Sequence, residues 1–249
     1  MTLPSIEDAA LLENHLAFTR WHRGTALEGP LGVRIESSIP GFTCFIPIAG
    51  VGAPGMAEEL ASFERVRLVP WSGVGEADLD AAGFVPAGAL AYLQLGDSPA
   101  AAPADADVRV VEDTEAMETF TRVQVYGFGA TGEDARRWLG WLGEANRRNL
   151  GHASQVFYVG RRNGEPAGVT LLLCTGSVGG IYAVATLPEH RRHGVSRTLL
   201  GRAIADARAR GCRTIGLQVA EGSDAHRLYL SLGFREAFRS PMFVRRVDE

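Results

Sequence analysis

The spacing of hydrophobic residues in the second half of the chain switches repeatedly between strand and helix periods. Strand-like runs occur at 108–111, 156–161, 167–174, 181–186, 214–220 and 234–244, and helix-like runs at 114–125, 132–149, 194–210 and 223–232. Asn163-Gly164 is a hairpin signal, because both residues tolerate a positive φ. The resulting order, βααβββαβαβ, predicts an α/β fold (an α+β arrangement with a mixed sheet) in which helices pack on the sheet.

The first half of the chain has a weaker pattern. Helices are predicted at 6–21 and 58–63, and strands at 32–38, 42–49 and 66–70. The segment from Leu79 to Phe84 resembles the segment from Tyr229 to Phe234, since in both a short helix ends in Gly-Phe and a strand follows. This similarity predicts a degenerate internal repeat, whose long period excludes a solenoid of small repeats.

A change of composition separates the two halves. The segment from Ser98 to Asp107 contains two prolines and no large apolar side chain. Such a segment does not pack into a core, and its prolines favour extended geometry. We therefore predict a first domain at 1–97, a linker at 98–106 and a second domain at 107–249.

Composition and charge limit the classes of function. The 249 residues are 46% hydrophobic and 22% charged, and the net charge of −4 gives no global basic field for nucleic acid or membrane. The three cysteines have no zinc-type spacing, so we predict no metal site and expect structural thiols in a reduced protein. The first residues lack the pattern of a secretory signal. A cytoplasmic location is expected from the reduced cysteines.

The segment from Ile181 to Leu200 carries the candidate chemistry. A strand ends at Leu187-Pro188, a loop with two arginines follows, and Gly194 precedes an amphipathic helix. A helix N-terminus exposes backbone N–H groups, glycine lets an anion approach them, and arginine suits phosphate geometry. The alternative is a strand, loop and helix with a solvated basic loop. The glycine pattern of dinucleotide-binding sites and the lysine pattern of phosphate-binding loops are absent.

Three motifs in this half resemble the GNAT superfamily of N-acetyltransferases. They are the strand exit Val184-Ala-Thr-Leu-Pro-Glu-His, the segment Arg191-Arg-His-Gly-Val-Ser, and Leu228-Tyr-Leu-Ser-Leu-Gly-Phe. The second is similar to the family's Gln/Arg-x-x-Gly-x-Gly/Ala, and the third to its Leu-Tyr-x-x-Leu-Gly-Phe. The resemblance covers 107–249 and implies a GNAT fold there, with the first domain as a degenerate GNAT-like copy in a tandem arrangement.

The resemblance also implies a cofactor site for acetyl-CoA. The backbone of the strand exit would pair with pantetheine, and the N–H groups at 192–197 would hold the pyrophosphate. The predicted cofactor-binding residues are Val184, Ala185, Thr186, Arg191, Arg192, His193, Gly194, Val195, Ser196, Arg197 and Ser223. The sequence departs from the family twice. Ser196 replaces a glycine or alanine, and Gly222 or Ser223 stands where an asparagine often contacts the cofactor.

Acyl transfer to an amine requires a base for the amine and a proton for the leaving thiolate. Many family members place a glutamate on the strand before the pyrophosphate loop, but Ile181 to Thr186 contains no acid. We predict Tyr229 as the general acid, against the alternative of a packed ring with a hydroxyl bonded to backbone. Glu221 is the nearest candidate base, with Gln218 as a group that could position a water, and Glu144 and His152 as further possibilities. The alternative of a solvated or hydrogen-bonded structural residue is favoured for each, so the base is not assigned.

The predicted function is that of an acyltransferase, an acetyl-CoA-dependent N-acetyltransferase that transfers an acetyl group directly to a primary amine of a small molecule. Two alternatives stay open, an acyl-CoA-binding pseudo-enzyme or partner-binding module, and an acetyltransferase for protein N-termini or lysines. Neither nucleic acid nor membrane is an expected partner, and both a monomer and a homodimer are compatible with the sequence. The first domain is expected to bind no acyl-CoA.

Overall fold

The computed structural model of the chain describes residues 3–96 and 107–246. Up to residue 96 the elements are α1 (Ile6–His22), β1 (Thr25–Glu28), β2 (Gly32–Glu36), β3 (Cys44–Pro47), α2 (Met56–Ala61), β4 (Arg65–Arg67), α3 (Glu76–Ala81) and β5 (Phe84–Leu95). From residue 107 they are β6 (Val108–Val110), α4 (Thr114–Gly127), α5 (Gly132–Arg148), β7 (Gln155–Arg162), β8 (Glu165–Thr175), β9 (Val178–Thr186), a 3-10 turn (Pro188–His190), α6 (Val195–Ala209), β10 (Thr214–Ala220), α7 (Asp224–Ser231) and β11 (Phe234–Arg245).

Contacts between Cα atoms divide the chain into two compact units. Unit one comprises Met1–Gln94, Gln218–Ser231 and Arg235–Glu249, and unit two comprises Leu95–Leu217 and Leu232–Phe234. The C-terminal strand falls in unit one because β11 pairs antiparallel with β4, with Met242 opposite Arg67. These units group residues differently from the predicted domains, whose boundaries remain a prediction. The predicted linker at 98–106 lies outside the described residues.

Unit one is built on strands in the order β1-β2-β3-β4-β11-β5. Its core gathers side chains from strands and short helices, namely Phe45, Met56, Leu60, Phe63, Val66, Leu68, Val74, Leu79, Phe84 and Phe243. Leu79 of α3 and Phe84 of β5 are both fully buried, so the predicted Gly-Phe segment anchors this core. The sequence pattern missed β1, in which only Ala26 is buried and no hydrophobic alternation exists.

Unit two is built on strands in the order β10-β9-β8-β7-β6. The predicted hairpin at Asn163-Gly164 is present, with φ of 53° and 83° at the two residues. Phe157 of β7 packs edge to face with Phe120 of α4 at 5.1 Å between ring centroids, whereas Gly160 of the same strand faces Leu199 of α6. Because side chains of a strand alternate between its faces, α4 and α6 cover opposite faces of the sheet.

The elements from β6 to β11 follow the predicted order, and the mixed α/β fold class is confirmed. Asp113 caps α4 through its side chain, which accepts the N–H of Ala116 at 2.8 Å. Gly211, with φ of 83°, follows the end of α6 as predicted. The main difference is β9, which begins at Val178 rather than Ile181, because Gly179 and Gly180 are part of the strand.

Candidate functional site

The strand β9 carries an irregularity just before its predicted cofactor-binding residues. Leu171 of β8 pairs with Tyr182, but Val169 pairs with Ala185, so two residues of β9 stand opposite Thr170 alone. Ala183, one of those two, has φ of 52°. The buried Thr170 hydroxyl donates to the Tyr182 carbonyl at 3.2 Å. This β-bulge bends the strand and turns the backbone groups that follow it.

The strands β9 and β10 separate soon after they begin. Their parallel ladder joins Val178–Gly180 to Thr214–Gly216, whereas the ladder between β8 and β9 continues to Thr186. Across residues 3–96 and 107–246, no strand pairs with 184–186 on the side away from β8. Unpaired strand backbone is a template for an added strand. An extended chain carrying amides therefore fits Val184, Ala185 and Thr186.

The loop after β9 curls its backbone before α6 begins. Arg192 has φ of 65°, and Gly194, the N-cap of α6, has φ of 80° and ψ of −3°. The first intrahelical bond runs from the Thr198 N–H to the Gly194 carbonyl at 3.0 Å, and no side chain caps the helix. The N–H groups of the first turn thus point out of the helix end, where the helix dipole favours an anion.

The space in front of this helix end is open and positively charged. A Cβ atom built on Gly194 would meet nothing within 4 Å, and the first turn of α6 contains no acidic residue. Arg192 and Arg197 are exposed. Within the part of the chain that the structure describes, neither has a carboxylate partner, whereas Arg202 on the same helix pairs with Asp206 at 3.0 Å. These features suit a diphosphate group.

Arg191 has a different environment from Arg192. Its guanidinium donates to the carbonyl of Thr186 at 3.2 Å through Nε and to the carbonyl of Gly127 at 3.0 Å through Nη2. These bonds tie the end of α4 to the end of β9. These contacts make Arg191 a residue that shapes the loop, whereas the side chains of Arg192 and Arg197 stay exposed.

A pair of hydroxyl groups connects the strand exit to the helix. The Oγ1 atom of Thr186 lies 2.8 Å from the Oγ atom of Ser196, and both side chains are half-buried. Ser196 is the residue that replaces the family's usual glycine or alanine. Its hydroxyl fits the site because Thr186 supplies a partner for it.

Close packing fixes the start of α6 on the sheet. A Cβ atom on Gly168 of β8 would lie 2.7 Å from Cγ1 of Val195 and 2.9 Å from the Ala185 carbonyl oxygen. Only a glycine allows this approach without displacing backbone. The predicted cofactor-binding residues 184–186 and 191–197 are therefore brought together within unit two, and Val195 contributes a buried anchor.

A cavity of about 660 Å³ lies in unit two beside residues 187–190, which lead from β9 toward the start of α6. The end of α4, the following loop and the 3-10 turn form its walls, with Arg122, Tyr126, Glu165, Glu189 and His190 as ionisable lining residues. Tyr126 is 40% exposed. The volume is that of a site for a small molecule.

The remaining predicted site residues belong to unit one. The Tyr229 ring is buried, and burial raises the pKa of its phenol. Glu221 forms an ion pair with Arg239. The Ser223 hydroxyl donates to the Ala220 carbonyl at 2.7 Å and accepts the N–H of His226 at 3.1 Å, so it serves as a turn and cap at the start of α7.

Sequence reasoning missed several residues that shape the site. Thr170 stabilises the bulge, and Gly127 gives α4 its close approach to β9, with a built Cβ only 2.9 Å from the Ala185 Cβ. The unexplained glycine at the end of an otherwise regular helix was the available signal for Gly127. No sequence pattern marks Thr170, because its role depends on the register of two strands.

Together these features define an α/β domain with a splayed parallel strand pair and an open, acid-free helix start. Residues 115–234 match the model of the acetyltransferase (GNAT) family, and they are a domain of that family. The predicted family and the acyltransferase class of this domain are thus confirmed, and the family uses acetyl-CoA as its acyl donor.

Among curated proteins, an acetyltransferase of Pectobacterium atrosepticum is 35% identical over 78 residues, which are 31% of this chain and 55% of that protein. The chain thus spans about half the length of this curated relative.

Solved structures share the fold over more of the chain. A GCN5-related N-acetyltransferase from Kribbella flavida has a TM-score of 0.68 at 17% identity and covers 99% of this chain and 98% of its own. A tandem GNAT protein from the clavulanic acid biosynthesis pathway has a TM-score of 0.58 at 13% identity, with coverage of 88% and 80%. The predicted tandem form is therefore confirmed at the level of the fold.

Two further features bear on partners. No helix among the described residues is long and apolar enough to cross a membrane. The described residues also contain no cluster of three or more His, Cys, Asp or Glu side chains arranged to hold a metal ion.

Proposed function

We propose that the protein is an acetyl-CoA-dependent N-acetyltransferase that transfers an acetyl group directly to a primary amine of a small molecule. The observation that carries the proposal is the juxtaposition, within one unit, of the open backbone at 184–186 and the uncapped, acid-free start of α6. Pantetheine amides and a diphosphate would use these two surfaces in succession. A cytoplasmic location is part of the proposal and rests on the free thiols.

The donor would be held mainly by backbone groups. The N–H groups of the first turn of α6 would bind the pyrophosphate, with Arg192 and Arg197 as mobile counter-charges. The strand residues Val184 and Ala185 would fix the pantetheine arm as an added strand does. The Thr186–Ser196 hydroxyl pair would set the distance between these two surfaces.

A small acceptor is supported by the cavity of about 660 Å³. An amine is a cation in neutral water, and the exposed carboxylates of Glu165 and Glu189 line this cavity with the Tyr126 ring. Carboxylates and a ring face both attract an ammonium group. We therefore propose this cavity as the place where the acceptor first binds.

Tyr229 is proposed as the hydrogen-bond donor to the leaving thiolate. Burial raises the pKa of its phenol, so the hydroxyl stays protonated throughout the neutral range. The same shift makes complete proton transfer to a thiolate, whose conjugate acid has a pKa of about 8.5, more uphill than it is for an unperturbed tyrosine. A retained hydrogen bond stabilises the developing charge without that transfer.

Proton removal from the amine is not assigned to Glu221, because its carboxylate is already engaged in an ion pair with Arg239. Water is the proposed acceptor of the proton.

The test is a screen of primary amines with acetyl-CoA in which the release of free thiol is recorded. We expect that at least one small amine causes thiol release. Mass spectrometry should then find one acetyl group on each product molecule. Binding of acetyl-CoA without turnover on any amine or peptide would instead identify a pseudo-enzyme. Turnover restricted to peptide N-termini or lysines would move the acceptor class to proteins.

A further inference from the structure

Two of the three cysteines, distant in sequence, meet at one end of unit two. The Sγ atoms of Cys174 and Cys212 lie 3.3 Å apart, and both thiols are free. Cys174 is opposite Gly179 in the β8–β9 ladder, and a Cβ on Gly179 would lie 3.4 Å from Cys212 Sγ. We propose that Cys174 and Cys212 are a redox modification site, in which a peroxide converts the two thiols into a disulfide. This disulfide would link the two ends of the segment 174–212.

The geometry requires little movement. A disulfide has its sulfurs about 2.05 Å apart, so each sulfur needs to move by less than about 1 Å. The backbone around the pair is already held. The Cys212 N–H donates to the Ala207 carbonyl at 3.0 Å, and the Arg213 N–H donates to the Ser177 carbonyl at 2.9 Å.

The reaction balances with hydrogen peroxide as the two-electron oxidant. One sulfur attacks a peroxide oxygen, the O–O bond breaks, and a sulfenic acid and one water are formed. The second sulfur attacks the sulfenic sulfur, the S–O bond breaks, and a second water leaves with the thiol proton. Two thiols are oxidised to one disulfide, and the peroxide is reduced to two waters.

The position of the pair determines what the disulfide does. The loop it closes, 174–212, contains β9, the pyrophosphate loop and α6. The sulfurs lie near the start of β9 and just after the end of α6, whereas the pyrophosphate loop joins the other ends of these elements. At 1.5 Å per residue, the 15 residues of α6 separate the two places by roughly 20 Å. The disulfide should therefore stabilise the segment without changing its affinity for the cofactor.

The rate should depend on pH. Burial, followed by the contact with Cys212, raises the pKa of Cys174 to about 12. Since the thiolate is the reacting species, its fraction grows about tenfold per pH unit below this pKa. Oxidation is thus expected to be slow at pH 7 and clearly faster at pH 9.

The experiment uses the full chain, reduced and then treated with hydrogen peroxide at pH 7 and pH 9. Thiols counted after denaturation should fall from three to one, peptide mapping should join Cys174 to Cys212, and the thermal midpoint should rise by on the order of 5 °C. The Cys44→Ser variant should go from two thiols to none. The Cys174→Ser and Cys212→Ser variants should form no internal disulfide.

Acetyl-CoA affinity measured before and after oxidation should agree within about twofold. Three thiols retained at pH 9, cross-links between chains instead of within one, or over-oxidation of either sulfur without a disulfide would each overturn the proposal. The thiol and mapping results do not depend on whether the protein proves to be an acetyltransferase.

Discussion

Each unit of the molecule contains a parallel strand pair joined by a helix, and the two helix starts have nearly the same backbone. Gly55 before α2 has φ of 84° and ψ of −2°, and Gly194 before α6 has φ of 80° and ψ of −3°. Neither helix has a side-chain cap. A left-handed glycine turn before the helix is therefore shared by both units, as an internal repeat would require.

The surroundings of the two glycines differ in charge and in space. The first turn of α2 contains Glu58 and Glu59, and a Cβ on Gly55 would meet Leu31 at 3.6 Å. The first turn of α6 contains no acid, and the space at Gly194 is open. Negative side chains in the first turn of a helix disfavour a bound anion there. We therefore expect the start of α6, and not the start of α2, to accept a diphosphate.

The strongest test of this comparison is Gly194→Asp. A carboxylate at this position enters the diphosphate space and repeats the charge of α2, so acetyl-CoA binding should be lost. Calorimetry should give one cofactor per chain for the wild type and none for the variant. Gly194→Asn is the matched control, because asparagine has the same size, tolerates the left-handed region and is neutral.

The asparagine variant should keep most of the affinity. Equal affinity in the aspartate variant and the wild type, or two cofactors per wild-type chain, would contradict the assignment of the site to α6 alone.

The second comparison concerns the short helices before the two Gly-Phe pairs. The position of Tyr229 in α7 corresponds to Leu79 in α3, and Leu79 is fully buried in the core of unit one. Tyr229→Phe should lower kcat by roughly 100-fold, within the range for a lost acid or hydrogen-bond donor, while the KM for acetyl-CoA changes little. Rates should be compared under conditions where chemistry limits turnover.

A kcat within about threefold of the wild type would assign Tyr229 the same packing role as Leu79. Thermal unfolding of the variant near the wild-type midpoint is the control that separates catalysis from stability.

The fold could be predicted from the sequence in those regions where the hydrophobic period and the turn residues indicated the same element. The long helix α6, with its apolar stripe and flanking glycines, was predicted within a residue of its observed ends, and the motif at 191–196 placed the loop. The strand β1 escaped because one buried residue gives no period.

Contacts between residues on different strands could not be predicted from the sequence, for a physical reason. The bulge at Ala183, the Thr186–Ser196 pair and the Cys174–Cys212 pair all depend on strand register, which a single chain pattern does not encode. The partners of side chains were equally hidden. Glu221 was a plausible base in sequence, but its ion pair with Arg239 depends on where β11 lies beside the 218–231 segment.

A smaller effect is expected from a buried histidine of unit one, which should make stability depend on pH. His15 of α1 is buried, and its Nδ1 lies 2.7 Å from the Tyr92 hydroxyl. Burial, followed by the charges of Arg67 and Arg23, holds the pKa of His15 well below its usual value. Below about pH 6.5 the unfolded chain therefore binds a proton that the folded chain does not, so stability falls as pH falls.

Urea denaturation at pH 7.5 and pH 5.5 tests this directly. The wild type should lose about 1 kcal/mol more of its free energy of unfolding over that range than His15→Gln does. Parallel pH profiles for the two proteins would show that His15 has the same pKa in the folded and the unfolded chain, which would contradict this prediction.

The smallest expected effect concerns the Thr186–Ser196 hydroxyl pair, which has no counterpart at the start of α2. Thr186→Val keeps the shape of the side chain but removes the partner of the Ser196 hydroxyl, 2.8 Å away. A net hydrogen bond is worth about 1 kcal/mol, so the Kd for acetyl-CoA should rise by roughly fivefold. If the two hydroxyls act as a pair, the double variant with Ser196→Ala should bind no more weakly than Thr186→Val alone, as a double-mutant cycle measures.

Thr198→Val is the control, because that hydroxyl bonds at 3.3 Å to the Gly194 carbonyl within its own helix and should change Kd by less than about twofold. Additive losses in the double variant would mean that each hydroxyl contacts the cofactor by itself, and that the distance between strand exit and helix start is set by packing at Gly168 alone.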